Sequence, residues 1–187
     1  MKSVLYIVLA LAAVIFVTYS YGKGKNNSFN ICDQEYALCT SAKCIPDPNN
    51  SGNVICVCEV RQGKSLGLTP CNQRAPYTDE DNVRHVISTF SLEDFPSKRV
   101  MTCPSGKPWA NCLDQKCIVD PRDPSKAICV CQTVRTGEFQ TLGGNCDLST
   151  CDTGYWSGAA VESNAKNIQA LMKKLGIRQS PAKYCQR

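Results

Sequence analysis

The stretch CTSAKCIPDPNNSGNVICVC (residues 39–58) decides the fold, because a second version of it, CLDQKCIVDPRDPSKAICVC (residues 112–131), follows 73 residues later. The two stretches are identical at ten of their twenty positions, and every cysteine is among the matches. A shared spacing of this kind indicates an internal duplication, in which one structural unit is used twice.

Each copy extends outward into a unit of six cysteines. The first unit covers residues 32–71 with the spacing C-x6-C-x4-C-x11-C-x-C-x12-C, and the second covers residues 103–146 with C-x8-C-x4-C-x11-C-x-C-x14-C. An even number of cysteines in a short unit is typical of a disulfide framework, although six cysteines allow fifteen pairings. The fourteen cysteines of the chain are Cys32, Cys39, Cys44, Cys56, Cys58, Cys71, Cys103, Cys112, Cys117, Cys129, Cys131, Cys146, Cys151 and Cys185.

The constant part of each unit predicts a β-hairpin. In the first unit, a turn-rich segment at 47–53 separates Lys43–Pro46 from the β-branched run Val54–Val60, and the second unit repeats this order. Residues i and i+2 of a strand lie about 6.5–7 Å apart, which is too far for a disulfide. Cys56 and Cys58 are therefore expected to bond to different partners.

Oxidised cysteines are the favoured use of these residues, and zinc is the alternative. Zinc sites usually contain C-x2-C pairs, often with histidines, but the close pairs here are C-x-C, and His85 is the only histidine. We therefore predict disulfides, with no metal and no other cofactor. Such a cysteine density is typical of oxidising compartments outside the cytosol.

The first 22 residues resemble a targeting segment. A basic start is followed by an apolar run from Val4 to Val17, and Ser20 and Gly22 supply small residues for a cut after Gly22. Residues 1–22 are thus predicted to be a signal peptide, with retention as a membrane anchor as the alternative. The protein is expected to be secreted, periplasmic or anchored on the outer side of a membrane, which it would touch only through an uncleaved leader.

Two cysteine-poor segments predict helices. In the linker, residues 72–102, the apolar residues Val83, Val86, Ile87 and Phe90 follow helical spacing after the acids at 79–81. In the C-terminal part, residues 147–187, an amphipathic segment runs from Val161 to Leu175 and stops at Gly176. A Cys151–Cys185 disulfide is expected to tether that helix. The predicted fold class is thus small and disulfide-rich, with two β-hairpin cysteine modules, a short linker helix and a C-terminal amphipathic helix.

The cysteine order and spacing resemble the epidermal growth factor-like module, in two tandem copies of about forty residues. This resemblance implies first-to-third, second-to-fourth and fifth-to-sixth disulfides. Carried onto this chain, the implied bonds are Cys32–Cys44, Cys39–Cys56 and Cys58–Cys71, then Cys103–Cys117, Cys112–Cys129 and Cys131–Cys146. The acids that calcium-binding members carry before the first cysteine are missing, because Asn30-Ile31 and Met101-Thr102 stand there.

Function is predicted mainly by elimination. A net charge of +5 with interleaved acids gives no basic stripe for nucleic acid, and no phosphate loop or C-x-x-C redox motif is present. The leading hypothesis is an exported non-catalytic binding or structural protein for a protein or surface ligand, with Trp109, Tyr155 and Trp156 as candidate partner contacts. The alternatives are a protease inhibitor or toxin-like effector acting through the loop at 47–53 or 120–126, and a hydrolase that uses His85, near Asp79 and Ser88, as its base.

Overall fold

The computed structural model describes residues 28–144, 146 and 155–185. The predicted leader and Cys151 lie outside these residues. The described chain is mostly strand. Its strands are β1 (Asn30–Leu38), β2 (Lys43–Pro46), β3 (Asn53–Gly67), β4 (Tyr77–Thr78), β5 (Arg84–Ser91), β6 (Val100–Cys103), β7 (Trp109–Asn111), β8 (Lys116–Asp120), β9 (Asp123–Val134), β10 (Phe139–Leu142), β11 (Tyr155–Trp156), β12 (Ala159–Ala160) and β13 (Lys183–Tyr184).

One sheet contains the strands of both repeats. β3 pairs with β1, β2 and β9, and β9 pairs in turn with β7 and β8. β5 closes the arrangement into a ring, because it pairs with β8 on one side and with β1 on the other. The smaller sheet consists of β12, β10, β6 and β13. The two repeats therefore share one set of backbone hydrogen bonds.

An approximate two-fold axis relates the repeats. In the antiparallel pair β3–β9, Cys56 lies opposite Cys129, and these two residues are counterparts in the 73-residue repeat. The same relation extends outward, since β2 pairs with β3 in the first repeat and β8 pairs with β9 in the second. The order β2–β3–β9–β8 is therefore symmetric about the centre of the β3–β9 pair.

The disulfides are nested within each repeat. The first repeat bonds Cys32 to Cys71, Cys39 to Cys58 and Cys44 to Cys56. The second bonds Cys103 to Cys146, Cys112 to Cys131 and Cys117 to Cys129. Corresponding bonds have matching Cα–Cα distances, 4.8 Å for Cys39–Cys58 and Cys112–Cys131 and 4.3 Å for Cys44–Cys56 and Cys117–Cys129.

This connectivity corrects the pairing that the growth factor resemblance implies. The Cys32–Cys44, Cys39–Cys56 and Cys58–Cys71 bonds are wrong here, and so are Cys103–Cys117, Cys112–Cys129 and Cys131–Cys146. The reason is strand register, because Cys44 lies directly opposite Cys56 and Cys117 directly opposite Cys129. Directly opposed cysteines of an antiparallel pair have the short Cα separation that a disulfide needs. As expected, Cys56 and Cys58 have different partners.

The predicted linker helix is also wrong. Residues Arg84–Ser91 form β5, and this strand lies between β1 and β8 in the ring. Neighbours cover it on both faces, so Val86, Phe90 and most of its other residues are buried. A strand buried on both faces loses its alternating pattern, and its apolar residues then mimic helical spacing. The acids before it form a turn, in which Asp79 accepts the backbone N–H groups of Asp81 and Val83.

The C-terminal part contains one short helix, α1 (Lys166–Lys174), which continues a π-helical turn, Val161–Ala165. Ile168 and Met172 on α1 are buried against Phe90 and Leu142, in a second core between the two sheets. Gly176 follows with a φ of 67°, a left-handed conformation that ends helices at little cost for glycine. Within the described residues, no helix is both long enough and apolar enough to span a bilayer.

Candidate functional site

The centre of the molecule is a cluster of four disulfides that joins the repeats. Cys39 Sγ lies 3.4 Å from Cys129 Sγ, and Cys56 Sγ lies 3.5 Å from Cys112 Sγ. The axis relates these two contacts, because each residue of one contact is the repeat counterpart of a residue of the other. These cysteines form two sets of three sulfurs that lie close enough to share a metal ion, but each sulfur is already bonded in a disulfide. The cluster is therefore structural.

A patch of aliphatic side chains lies on the outer side of the same strands. Because strand residues alternate between faces, the inward cysteines of the two ICVC stretches force their isoleucine and valine residues outward. We call this patch the aliphatic face. Its members are Ile45, Ile55 and Val57 and their counterparts Ile118, Ile128 and Val130. Five of the six expose 42–59% of their surface, and Ile55 is half-buried.

The register of the strands makes this face continuous. Ile55 lies opposite Ile45 on one side and opposite Val130 on the other. The axis generates the second row, in which Ile128 lies opposite Val57 and Ile118. Side chains opposed on one face of a sheet lie about 5 Å apart, so each row is an unbroken apolar contact surface.

A polar groove of about 240 Å³ adjoins the aliphatic face on the side of the first repeat. Three lysines, one glutamate, one serine and one valine of the face contribute to it, and we call it the lysine groove: Lys43, Lys98, Lys126, Glu59, Ser41 and Val57.

Two of the charged side chains in the groove are held in ion pairs. Arg61 binds Glu59 through Nε at 3.0 Å and Nη2 at 2.7 Å, and this hydrogen bonding, aided by the charge of Arg61, lowers the pKa of Glu59. Lys98 pairs with the buried Asp94 at 3.0 Å. Among the described residues, Lys43 and Lys126 have no carboxylate within 4 Å.

His85 forms a structural contact. It is buried on β5, and its Nε2 donates to Oδ2 of Asp79 at 2.7 Å. Its ring also stacks on Tyr77 with a centroid distance of 4.8 Å. The hydrogen bond from His85, together with that from the backbone N–H of Val83, lowers the pKa of Asp79. The contact holds the β4–β5 turn closed.

Ser88 does not act with His85 as a hydrolase would require. It lies three residues further along the strand, so its side chain points to the opposite face. Its Oγ donates to the backbone carbonyl groups of Cys112 and Gln115. The predicted histidine–acid pair is thus present, but the serine is occupied on the other side of the sheet.

The three aromatic candidates for partner contact differ in position. Trp109 is only 1% exposed and stacks on Phe139 at 5.4 Å, so the structure places its side chain in the core and not on the surface. It fills the core because β7 turns its side chain between the two sheets. Tyr155 and Trp156 form the half-buried edge strand β11, which pairs with β2. Their role as partner contacts stays a prediction.

The buried Arg74 and the half-buried Asp114 lie on either side of Gly67 and fix the backbone around it. Arg74 is 1% exposed and donates to the backbone oxygen of Asn30 at 3.0 Å, and burial lowers its pKa. Asp114 accepts the backbone N–H groups of Leu68 and Thr69 at 2.7 and 3.0 Å. Gly67 lies between the two, because a Cβ there would meet an oxygen of Asp114 at 2.3 Å and a nitrogen of Arg74 at 2.4 Å. Only glycine fits this position without displacing the pair.

The sulfur of Cys146 lies within bonding range of both Cys103 and Cys185. One sulfur forms one disulfide, and Cys103–Cys146 repeats the first-to-last bond Cys32–Cys71 of the other unit. We therefore assign Cys146 to Cys103, which leaves Cys185 beside this bond. The expected Cys151–Cys185 bond involves a residue outside the described part of the chain, so it stays a prediction.

The aliphatic face was missed in the sequence, although the ICVC stretches carry its signal. Once the cysteines are assigned to the interior, the alternation of a strand places the residues between them outside. Comparison of the chain with protein-family models, with curated proteins and with solved structures found no match in any of the three. The function of this chain is therefore inferred from the geometry of the aliphatic face and of the groove beside it.

Proposed function

We propose that this chain is an exported, non-catalytic binding protein, and that the aliphatic face is its contact surface. The observation that carries the proposal is the exposure of a continuous apolar surface on four paired strands. Apolar patches of roughly 300–600 Å² on monomers are often functional, and patches with a polar rim commonly mark sites of association. The density of disulfides is typical of an oxidising compartment and supports export, either as a secreted or periplasmic protein or with the leader as an anchor.

Rigidity supports the same proposal. The strands that present the face are fixed from behind by Cys44–Cys56 and Cys117–Cys129 and by the sulfur contacts between the repeats. A surface that is already ordered loses little conformational entropy on binding, so more of the contact energy appears as affinity. The rigid strands therefore favour recognition by a preformed sheet surface.

The test uses a displayed library of random peptides of about twelve residues, because extended peptides of this length can cover a sheet face. The variant Val57→Asp/Ile128→Asp places two carboxylates at the centre of the face. We expect peptides enriched on the wild-type protein to lose binding to this variant. The matched control is Ile31→Asp, which changes an exposed isoleucine outside the face and is expected to retain binding.

Far-ultraviolet circular dichroism and intact mass under non-reducing conditions check that each variant folds and oxidises. Equal binding of the enriched peptides by wild type and by the folded Val57→Asp/Ile128→Asp variant would contradict the proposal. Determination of the mature N-terminus in exported protein tests the compartment, and a first residue at Lys23 is expected if the leader is cleaved.

A protease inhibitor is the second candidate function, and the turn between β2 and β3 favours it. Asp47 accepts the backbone N–H of Asn49 at 2.9 Å, and Asn50 accepts that of Gly52 at 3.0 Å. A turn fixed in this way is exposed and pre-ordered, as an inhibitory loop must be. Incubation with a panel of proteases tests it, and unchanged activity of every protease would rule against this candidate.

A further inference from the structure

The proposal that follows rests on the proposed binding function and names its partner chemistry. We propose that the aliphatic face binds a protein segment whose aliphatic side chains are accompanied by carboxylates, and that the lysine groove receives those carboxylates and fixes the segment in one orientation.

The charge of the rim selects an acidic partner. The lysine groove holds three lysines and one glutamate, and Arg61 already neutralises that glutamate. Within the described residues, neither Lys43 nor Lys126 has a carboxylate within 4 Å. Lys126 lies opposite Glu59, but Arg61 holds that carboxylate, so the groove keeps an excess of positive charge. A partner with carboxylates at the edge of its apolar contact would pair with these lysines, and complementary charge at a rim raises specificity and association rate.

The size of the face disfavours a second copy of this chain. The face crosses four strands about 4.8 Å apart, and its outer strands β2 and β8 have only four and five residues, so its footprint is at most roughly 300 Å². A stable interface buries about 800 Å² per partner, so the face alone is too small for a stable dimer. A short segment of another protein fits this footprint better.

The composition of the face disfavours a membrane surface. Groups that insert at a lipid interface are usually tryptophan or tyrosine rings beside lysines and arginines. The face consists entirely of β-branched aliphatic residues, and Tyr77 near its border is engaged with His85 and lies under Lys116. Flat faces of isoleucine and valine are typical of surfaces that pack against other protein.

The groove breaks the symmetry of the face. The counterpart of Lys43 is Lys116, but the position equivalent to Glu59 is Gln132 and the one equivalent to Lys126 is Asn53. Lys98 lies outside the repeats and has no counterpart. The two-fold face alone would accept a segment equally well in two opposite directions. The lysines on one side favour the direction that places the carboxylates there.

The experiment applies the same peptide library to the variant Lys43→Glu/Lys126→Glu, which leaves the Lys98–Asp94 pair intact. The control is Lys116→Glu, which reverses the charge at the position related to Lys43 by the axis. Peptides enriched on wild type are expected to combine aliphatic residues with Asp or Glu. Individual acidic peptides are expected to bind the double variant about tenfold more weakly, and to lose affinity with rising salt, because these charges lie near the surface. Lys116→Glu is expected to change affinity by less than about threefold.

Each outcome separates the two proposals. If enriched peptides carry no excess of acids, or if Lys116→Glu weakens binding as much as Lys43→Glu/Lys126→Glu, the inference on the groove is wrong while the binding function stands. If Val57→Asp/Ile128→Asp leaves binding unchanged, the function itself is wrong. Binding to vesicles of anionic phospholipid with no peptide enrichment would overturn the protein-segment partner, and so would self-association detected by sedimentation that Val57→Asp/Ile128→Asp abolishes.

Discussion

Asp79 shows how one side chain closes a turn that the sequence pattern assigns to a helix. Its carboxylate accepts hydrogen bonds from His85 and from two backbone N–H groups. These bonds favour the charged form and lower its pKa below the ordinary value of 3.8. A carboxylate whose pKa is depressed in the folded state stabilises the fold above its unfolded pKa. That stability is lost as the pH falls through the folded pKa.

We therefore predict a pH-dependent effect for Asp79→Asn. The variant should melt at a lower temperature than wild type at about pH 6, and the gap should close as the pH falls below about 4 toward 2. Thermal unfolding followed by circular dichroism measures the gap at each pH. Asp81→Asn is the control, because Asp81 contributes only its backbone N–H to the turn. A gap that stays constant down to pH 2 would contradict the role given to the carboxylate.

Gly67 is a second position where one residue type is required. Gly67→Ala is expected to lower the free energy of unfolding by about 2–3 kcal/mol, because its Cβ must displace the buried Arg74 or Asp114. Gly52→Ala is the matched control and should cost less than about 1 kcal/mol, since its Cβ would meet only the exposed Asn50 side chain at 3.2 Å. Guanidinium denaturation compares the two variants. Equal losses in the free energy of unfolding would show that Arg74 and Asp114 can move away from the new Cβ at little cost.

At the scale of elements, strand register determines the disulfide connectivity. Peptide mapping is expected to recover Cys39–Cys58 and Cys44–Cys56 as separate bonds, with the corresponding pair in the second repeat. Thermolysin suits this test, because cleavage before Val57 separates Cys56 from Cys58. Recovery of Cys39–Cys56 would instead support the growth factor-like pairing and would mean that β2 and β3 pair in another register.

The sequence predicts some elements better than others, for physical reasons. The disulfide-rich class and the different partners of Cys56 and Cys58 follow from cysteine spacing and strand geometry, and both are confirmed. The strand Arg84–Ser91 could not be recognised, because its pattern depends on neighbours that cover both faces. The cystine contacts between the repeats were equally hidden, since they require the β3–β9 pairing over a separation of 73 residues.

At the scale of the whole molecule, the two-fold relation predicts equal contributions from equivalent bonds. Removing Cys44–Cys56 or Cys117–Cys129 by double alanine substitution opens loops of the same sequence separation, 12 residues. The loop-entropy relation gives about 3 kcal/mol for each. We expect the two variants to lose stability by the same amount within about 1 kcal/mol, as measured by guanidinium denaturation. A much larger loss of stability in one of the two variants would show that the two repeats do not contribute equally to the stability of the fold.

Cys56 lies opposite its own repeat counterpart, Cys129, in the β3–β9 strand pair, and this arrangement affects how the molecule assembles. Antiparallel contact between equivalent strands is the geometry of a homodimer, here built within a single polypeptide. A lone unit would need to meet a second molecule to complete its ring, at a rate set by protein concentration. Tandem fusion replaces that encounter with an intrachain closure, so the chain can fold and oxidise at any dilution.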